Sequence, residues 1–305
     1  MSTPAVVVDP QLDLAKPPGK KSPQRALAIG QAHWGVKVGI VVLCVLWMIP
    51  AVGVIFTSFR TEDAAKSTGW WTFFQNFGDY GWTFTNYTDA WTNANLGPAF
   101  LNSLAIALPA TFIPILIAAF AAYAFTFMQF KFRDTLFIVI VSMLVVPNYV
   151  AFVPILKVYT NLGIKSFPAV WLAHIGFGMS LAIYLFRTYM STLPRSVIES
   201  AKIDGASDFQ TFYRLVLPMS VPVLASFAIF QFLWVWNDLL VALVFIGPGD
   251  NAPITVATQQ LMGQRGEGWN LVTAAGILTA ILPIVIFLAL QRYFVRGLTA
   301  GSVKG

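Results

Sequence analysis

Asn237 and Asp238, set between Trp234, Trp236 and a run of leucines in WVWNDLLVAL, put an amide and a carboxylate inside a strongly apolar stretch. An ionisable side chain at the centre of a membrane span costs about 2.5–3.5 kcal/mol on insertion scales, so it reads by default as part of a pathway or gate. A place near the outer interface, or a hydrogen bond to a neighbouring helix, would also account for Asp238. His174 in WLAHIGFGMS could line the same pathway, although interior histidines are more often hydrogen-bonded packing residues. Asn148, beside Pro147, could line a cavity at a kink. Bond-making chemistry finds no such support. There are 2 His, of which His33 lies in the N-terminal region, and no HExxH, GxSxG or P-loop pattern occurs. The 1 Cys, Cys44, leaves no internal disulfide and no cysteine-rich metal site, and reads as a buried small hydrophobe. No catalytic residue and no metal site is expected.

The elements that would carry these residues are membrane spans. The chain is 57% hydrophobic and 10% charged, whereas a soluble domain carries about 25% charged residues. It cannot cover itself in water. Six segments come near the roughly 20 apolar residues that a bilayer requires: 36–58, 100–127, 135–156, 168–187, 219–246 and 271–294. Pro147, Pro154 and Pro168 interrupt the third and fourth, and prolines in membrane helices are expected to kink rather than abolish them. Residues 1–35 read as a disordered tail without a cleaved signal peptide. The remainder divides into a first span with an outer loop (36–99), a core (100–294) and a tail (295–305).

Lysine and arginine orient the spans. With the N-terminus inside, fourteen of the 19 basic residues fall on the cytoplasmic side, and only Arg60, Lys66, Lys157, Lys165 and Arg265 outside. Both termini are therefore predicted to be cytoplasmic. The net charge of +6 is a topology signal, and nucleic acid is not an expected partner. The outer loop carries Trp70, Trp71, Trp82 and Trp91 among Asn, Thr and Gly, which reads as an interfacial aromatic belt or a docking surface for an outside partner.

One stretch breaks the apolar pattern: ESAKIDGASDFQTFYRLVLP, Glu199 to Pro218. A short helix from Pro194 to Asp204, with proline in its first turn, carries Val197, Ile198 and Ala201 on one stripe. Gly205 is predicted to end it in a left-handed conformation. Ser207 and Gln210 form a capping-box pattern for a second helix, with Phe209, Phe212 and Val216 at helical spacing and Pro218 ending it. The product is a helix–turn–helix on the cytoplasmic face. Such a hairpin could insert into a groove of another protein or pack only on its own bundle.

The residue pattern favours the first. Glu199, Ala201, Gly205, Leu215, Leu217 and Pro218 resemble the EAA loop of ABC-importer permeases, which reads EAA, three residues, G, nine residues, I, one residue, LP. Ser200 and Leu215 depart from it modestly and the spacing is unchanged. Asp204, Gly205 and Ala206 are similar to the DGA of that family. The tail RGLTAGSVKG and the segment WVWNDLLVAL resemble the smaller permease subunit of the maltose type, closest to the α-glucoside transporters.

The resemblance implies an all-α integral membrane fold, the transmembrane domain of a type I ABC importer, in a bacterial cytoplasmic membrane. It implies as partners an ATPase subunit dimer holding ATP and Mg, a second permease, an extracytoplasmic sugar-binding protein, membrane lipid and a sugar, with no cofactor in this chain. The loop 195–217 would dock in the ATPase. Gly301, Ser302, Val303, Lys304 and Gly305 would reach into the ATPase dimer interface. Trp236, Asn237, Asp238 and Asn148 are then the pathway candidates, because sugars present hydroxyls and apolar C–H faces. In the maltose-type system the sugar is held mainly by the other permease, so this chain would contact it little. An importer subunit for glycerol phosphate or an oligopeptide, a secondary transporter and a membrane-embedded enzyme are the rival readings. A secondary transporter would need several intramembrane ionisable residues or broken helices at a repeat interface, and only Asp238 stands in a clear span.

Overall fold

A computed structural model describes residues 34–262 and 268–299, the side chains of 292–299 excepted. The regular structure there is helical, and the only β-pairing is one isolated antiparallel bridge between Arg60 and Trp82. The chain divides inside its first helix, between Ala51 and Val52. That helix, α1 (Trp34–Ser58), carries one charged residue, Lys37, and is otherwise apolar on every side of residues 34–51; Val41, Leu46 and Trp47 are exposed, the surface expected of a helix facing lipid or another membrane chain. Cys44 is exposed on it as well. Burial is what cysteine's habit in soluble cores predicts, but the surface of a uniformly apolar helix can carry a thiol without packing it against protein.

The second unit begins with the end of α1 and a loop module made of α2 (Glu62–Ser67), a 3₁₀ turn at Trp70–Phe74, α3 (Thr85–Thr88) and a π-type turn at Asp89–Asn93. Phe56, Phe73, Tyr80 and Trp82 pack together around the buried Tyr80, with ring centroids 4.3 to 6.4 Å apart. Arg60 is buried beneath, its guanidinium 4.7 Å from the Tyr80 ring centre and hydrogen-bonded to Thr68. Burial raises the pKa of the Tyr80 hydroxyl, and nearby Arg60 only partly opposes it. The loop is therefore a small folded module, although Trp71, Phe74, Phe77 and Phe84 stay exposed on it.

The membrane core follows. The long α4 (Leu96–Phe127) leads to α5 (Arg133–Ser142), α6 (Asn148–Asn161) and α7 (Phe167–Met190). Then come α8 (Arg195–Ile203), α9 (Asp208–Thr211), a π-type turn at Phe212–Val216 and α10 (Leu217–Met219). The chain closes with α11 (Val221–Trp236), α12 (Leu240–Phe245), α13 (Ile254–Gln260) and α14 (Trp269–Thr299). α4 lies along α7, and α11 packs against both α4 and α14. Small residues make this close approach possible: Ala107, Ala110, Ala118 and Ala122 of α4 and Ala169, Ala173 and Ala182 of α7 are all buried.

Among the described residues four helices, α1, α4, α7 and α14, are long and apolar enough to cross a bilayer, or up to six if each of two bent pairs counts as one span. The third expected span is one of those pairs. At Val146–Pro147 the chain turns by 103° between α5 and α6, a break rather than a kink. Pro154 sits inside α6 and Pro168 in the first turn of α7, and both are accommodated. The fifth expected span is broken twice, by 70° at Ser220 and again between Trp236 and Leu240. Of the expected tails, 1–33 and 300–305 lie outside the described residues.

Candidate functional site

The charged stretch folds as a tight hairpin, and its turn is built from local rules. The N–H of Gly205 bonds the Lys202 carbonyl at 3.1 Å and that of Ala206 bonds the Ala201 carbonyl at 3.0 Å, while Gly205 has φ +84°. This is the Schellman arrangement, in which the residue after the cap must enter the left-handed region. Nothing lies within 4 Å of where a Cβ on Gly205 would sit, so backbone conformation alone selects glycine. Two residues on, Ser207 Oγ accepts from the Gln210 N–H at 3.2 Å and Gln210 Oε1 accepts from the Ser207 N–H at 2.9 Å, a complete capping box. Pro194 occupies the cap position ahead of α8, not its first turn. Pro218 does not end the second helix either. It lies inside the last turn, and the chain breaks two residues later at Ser220. The wide turn at Phe212–Val216 directly before it relaxes the i−4 contact that makes proline a helix breaker.

The apolar stripes expected on this hairpin are each divided between two faces. Ile198, Phe212 and Val216 point into the bundle and are buried with Tyr123, Phe186 and Met190. The Phe212 ring lies 4.5 Å from Phe120 and 5.4 Å from Tyr123. The Tyr123 hydroxyl donates to Asp208 Oδ1 at 3.4 Å, and Lys202 Nζ lies 3.0 Å from the same carboxylate. Val197, Ile203, Phe209 and Tyr213 face away and are exposed. Glu199, Asp204, Gly205 and Pro218 are also exposed, with Ala201, Ala206, Leu215 and Leu217 half-buried. The hairpin is thus fastened to the bundle by one side and presents an apolar surface on the other.

The membrane-core candidates separate. Asp238 sits in the break between α11 and α12 and accepts the Val241 N–H at 2.8 Å on Oδ2, which caps α12. Thr255 Oγ1 donates to the Asp238 carbonyl at 2.9 Å, and His174 Nε2 stands 3.8 Å from Oδ2. His174 is buried, edge-on to Trp234 at 5.6 Å. Asn237 is exposed and its amide returns to the Leu233 carbonyl at 2.8 Å. Trp236 is packed inside the bundle. It is 2% exposed, its indole N–H donates to the Thr279 carbonyl at 3.0 Å, and its ring packs on Phe100 and Phe232. The neighbouring Trp234 instead lines a cavity of about 670 Å³ beside the Pro147 break, together with Asn148, Tyr159, Ser180 and Gln231.

Gln231 is the core residue that the sequence reading passed over. Its Nε2 donates to the carbonyls of Ala110 at 3.2 Å and His174 at 3.3 Å, holding three helices together. Its Oε1 has no partner among the described residues. Gly178 makes room for it, since a Cβ there would stand 2.6 Å from Oε1. A lone amide inside AIFQFLW was the available signal, as informative as the carboxylate seven residues on.

Comparison with known proteins agrees with this geometry. Residues 114–300 match the family described as binding-protein-dependent transport system inner membrane component. The chain is 48% identical over 272 residues to the osmoprotective compounds uptake permease protein GgtD of Synechocystis sp., covering 88% of this chain and 91% of that one. It is 53% identical over 230 residues to the alpha-glucoside transport system permease protein AglG of Rhizobium meliloti, covering 73% of this chain and 60% of that longer protein. Among solved structures, a bacterial ABC transporter involved in the import of the acidic polysaccharide alginate shares the fold. It gives a TM-score of 0.62 at 15% identity over 86% of this chain and 96% of the other.

Proposed function

The chain belongs to the family of binding-protein-dependent transport system inner membrane components, and on that premise we propose that it is one permease subunit of a sugar-importing ABC transporter, driven through the 195–217 hairpin by a separate ATPase. The observation that carries this reading is the outward face of the hairpin, where Ile203, Phe209 and Tyr213 stand exposed on a turn fastened from behind by Phe212 and Val216. Exposed apolar side chains on a rigid, charged-flanked helix pair fit insertion into a protein groove. In this reading Glu199 supplies a polar contact, Ala201 permits close approach and Gly205 holds the turn. ATP and Mg belong to the partner ATPase, and this chain performs translocation, not hydrolysis. Residues Gly301 to Gly305 would reach into the ATPase dimer interface. Both termini are cytoplasmic, from the lysine and arginine distribution.

The solute is a hydroxyl-rich molecule of the glucoside class, supported by the relative named for alpha-glucoside transport and by another named for melibiose, raffinose and stachyose import. The relative named for osmoprotective compounds favours a second reading, a small compatible solute. Asn148 and Trp234 around the 670 Å³ cavity offer an amide and an aromatic face to such a molecule. Asn237 and Asp238 hold the break beside it. A second permease and an extracytoplasmic binding protein complete the assembly.

The test is a mild-detergent purification of the chain from its native membrane, with the retained proteins identified by mass spectrometry. Recovery of an ATPase, a second permease and a binding protein supports the assignment, and that binding protein is then titrated with maltose, trehalose and sucrose. Recovery of the well-folded chain alone overturns it.

A further inference from the structure

The ends of α4, α5 and α7 together with α8 enclose another cavity, about 500 Å³, whose wall carries Arg133, Arg187, Arg195 and Lys202 against a single carboxylate, Glu199. Two of these cations have acidic neighbours. Arg133 Nε lies 3.1 Å from Asp134 Oδ1, and Lys202 Nζ lies 3.0 Å from Asp208 Oδ1. Arg187 and Arg195 have no carboxylate within ion-pair distance among the described residues. The Arg187 guanidinium instead lies 4.1 Å from the centre of the Phe137 ring, a contact that orients the group without neutralising it.

The depth of the cavity says what kind of anion it meets. Arg187 is in the last turn of α7 and Arg133 opens α5, so the cations stand where the apolar helices end. The link between α4 and α5 exposes Met128, Phe130 and Phe132, with Lys131 Nζ 5.0 Å from the Phe132 ring centre and Phe130 resting 5.7 Å from Phe125. Aromatic and long basic side chains together at the end of a span belong to the headgroup layer. Basic pockets between membrane helices hold anionic headgroups there.

We propose that this cavity binds the phosphate of an anionic phospholipid, with Arg187 and Arg195 as its direct partners and Arg133 and Lys202 adding to the positive field. The phenylalanines of the 128–132 link lie against its acyl chains. A soluble phosphate would use the same cations but would gain nothing from that apolar rim. A lipid seated here touches α8, and so braces the hairpin from the membrane side. The inference does not depend on which solute is carried.

The experiment uses the full chain with the proteins it retains, in nanodiscs of phosphatidylcholine containing a minor fraction of phosphatidylglycerol. Bound lipid is read by native mass spectrometry. Retained phosphatidylglycerol is expected in the wild type, and each charge removed in R187Q and R195Q should weaken retention about fivefold. R187K and R195K should keep it, which separates loss of charge from loss of fold, and R195Q alone changes only an exposed side chain. Millimolar inorganic phosphate should not displace the lipid. Equal retention in wild type and the glutamine variants would overturn the proposal. So would displacement by phosphate, which marks a soluble anion, or retention only after the partner proteins are stripped, which marks a protein contact.

Discussion

The rings of Phe209 and Tyr213 lie parallel within 5°, their centroids 6.4 Å apart, on the side of the hairpin that faces away from the bundle. Both are well over half exposed, while Phe212 and Val216 between and beyond them are buried. Water gains nothing from two aromatic rings held in place. Their burial in a partner's groove would be worth roughly 1.5–3 kcal/mol each by area. This division of one short segment into an anchoring face and a presenting face is the structural basis for reading the hairpin as a lever.

Gly205 fixes the angle of that lever. Because its φ is +84° and the space around it is open, Gly205→Val should strain the backbone and cost about 1–2 kcal/mol, whereas Gly205→Asn should be much milder. Solute uptake in whole cells is expected to fall strongly for valine and little for asparagine, with both variants reaching the membrane in normal amounts.

Asp238 acts through the cap it provides to α12. Asp238→Asn keeps an oxygen for the Val241 N–H and should preserve uptake and thermal stability. Asp238→Ala should lose about 1 kcal/mol of stability, seen as a lowered melting temperature in detergent. Loss of uptake in the asparagine variant at full stability would show instead that the charge itself takes part in passage.

Asn270 Nδ2 donates to Asn86 Oδ1 at 2.8 Å, and Asn86 in turn donates to the carbonyls of Ser58 at 2.8 Å and Arg60 at 2.7 Å. The 59–95 loop module is thereby tied to the start of α14. Asn270→Ala would strand the buried Asn86 oxygen, at a cost of about 1–3 kcal/mol. Limited proteolysis should then cut the 59–95 region faster while the helical core stays resistant.

How much of this was legible in the sequence follows the range of the interactions. The turn at Gly205 and the capping box at Ser207 and Gln210 are set by residues within five positions of each other, and they stand in the structure as their order demands. The division of the apolar stripes does not, because whether Ile198 or Val197 points inward depends on where α4 and α7 pass. Prolines show the same limit. Pro147 and Pro154 carry identical local constraints, yet the first sits at a 103° break and the second inside a continuing helix. The burial of Trp236 and Gln231 was not legible for one reason: in a uniformly apolar helix no periodicity tells which side meets a cavity. In the 59–99 loop, the aromatic count was readable, but its folding around Arg60 needs contacts between residues up to 29 positions apart.

The measurement that tests the central claim most directly is site-specific photocrosslinking from position 213 in living cells, with position 84 on the 59–95 loop module as the control. A crosslinker at Tyr213 should capture a nucleotide-binding ATPase subunit, more strongly when hydrolysis is blocked and the ATPase dimer is closed, and one at Phe84 should capture none of it. Crosslinks from position 213 only to lipid or to this chain's own helices would contradict the account and return the hairpin to a surface feature of the bundle.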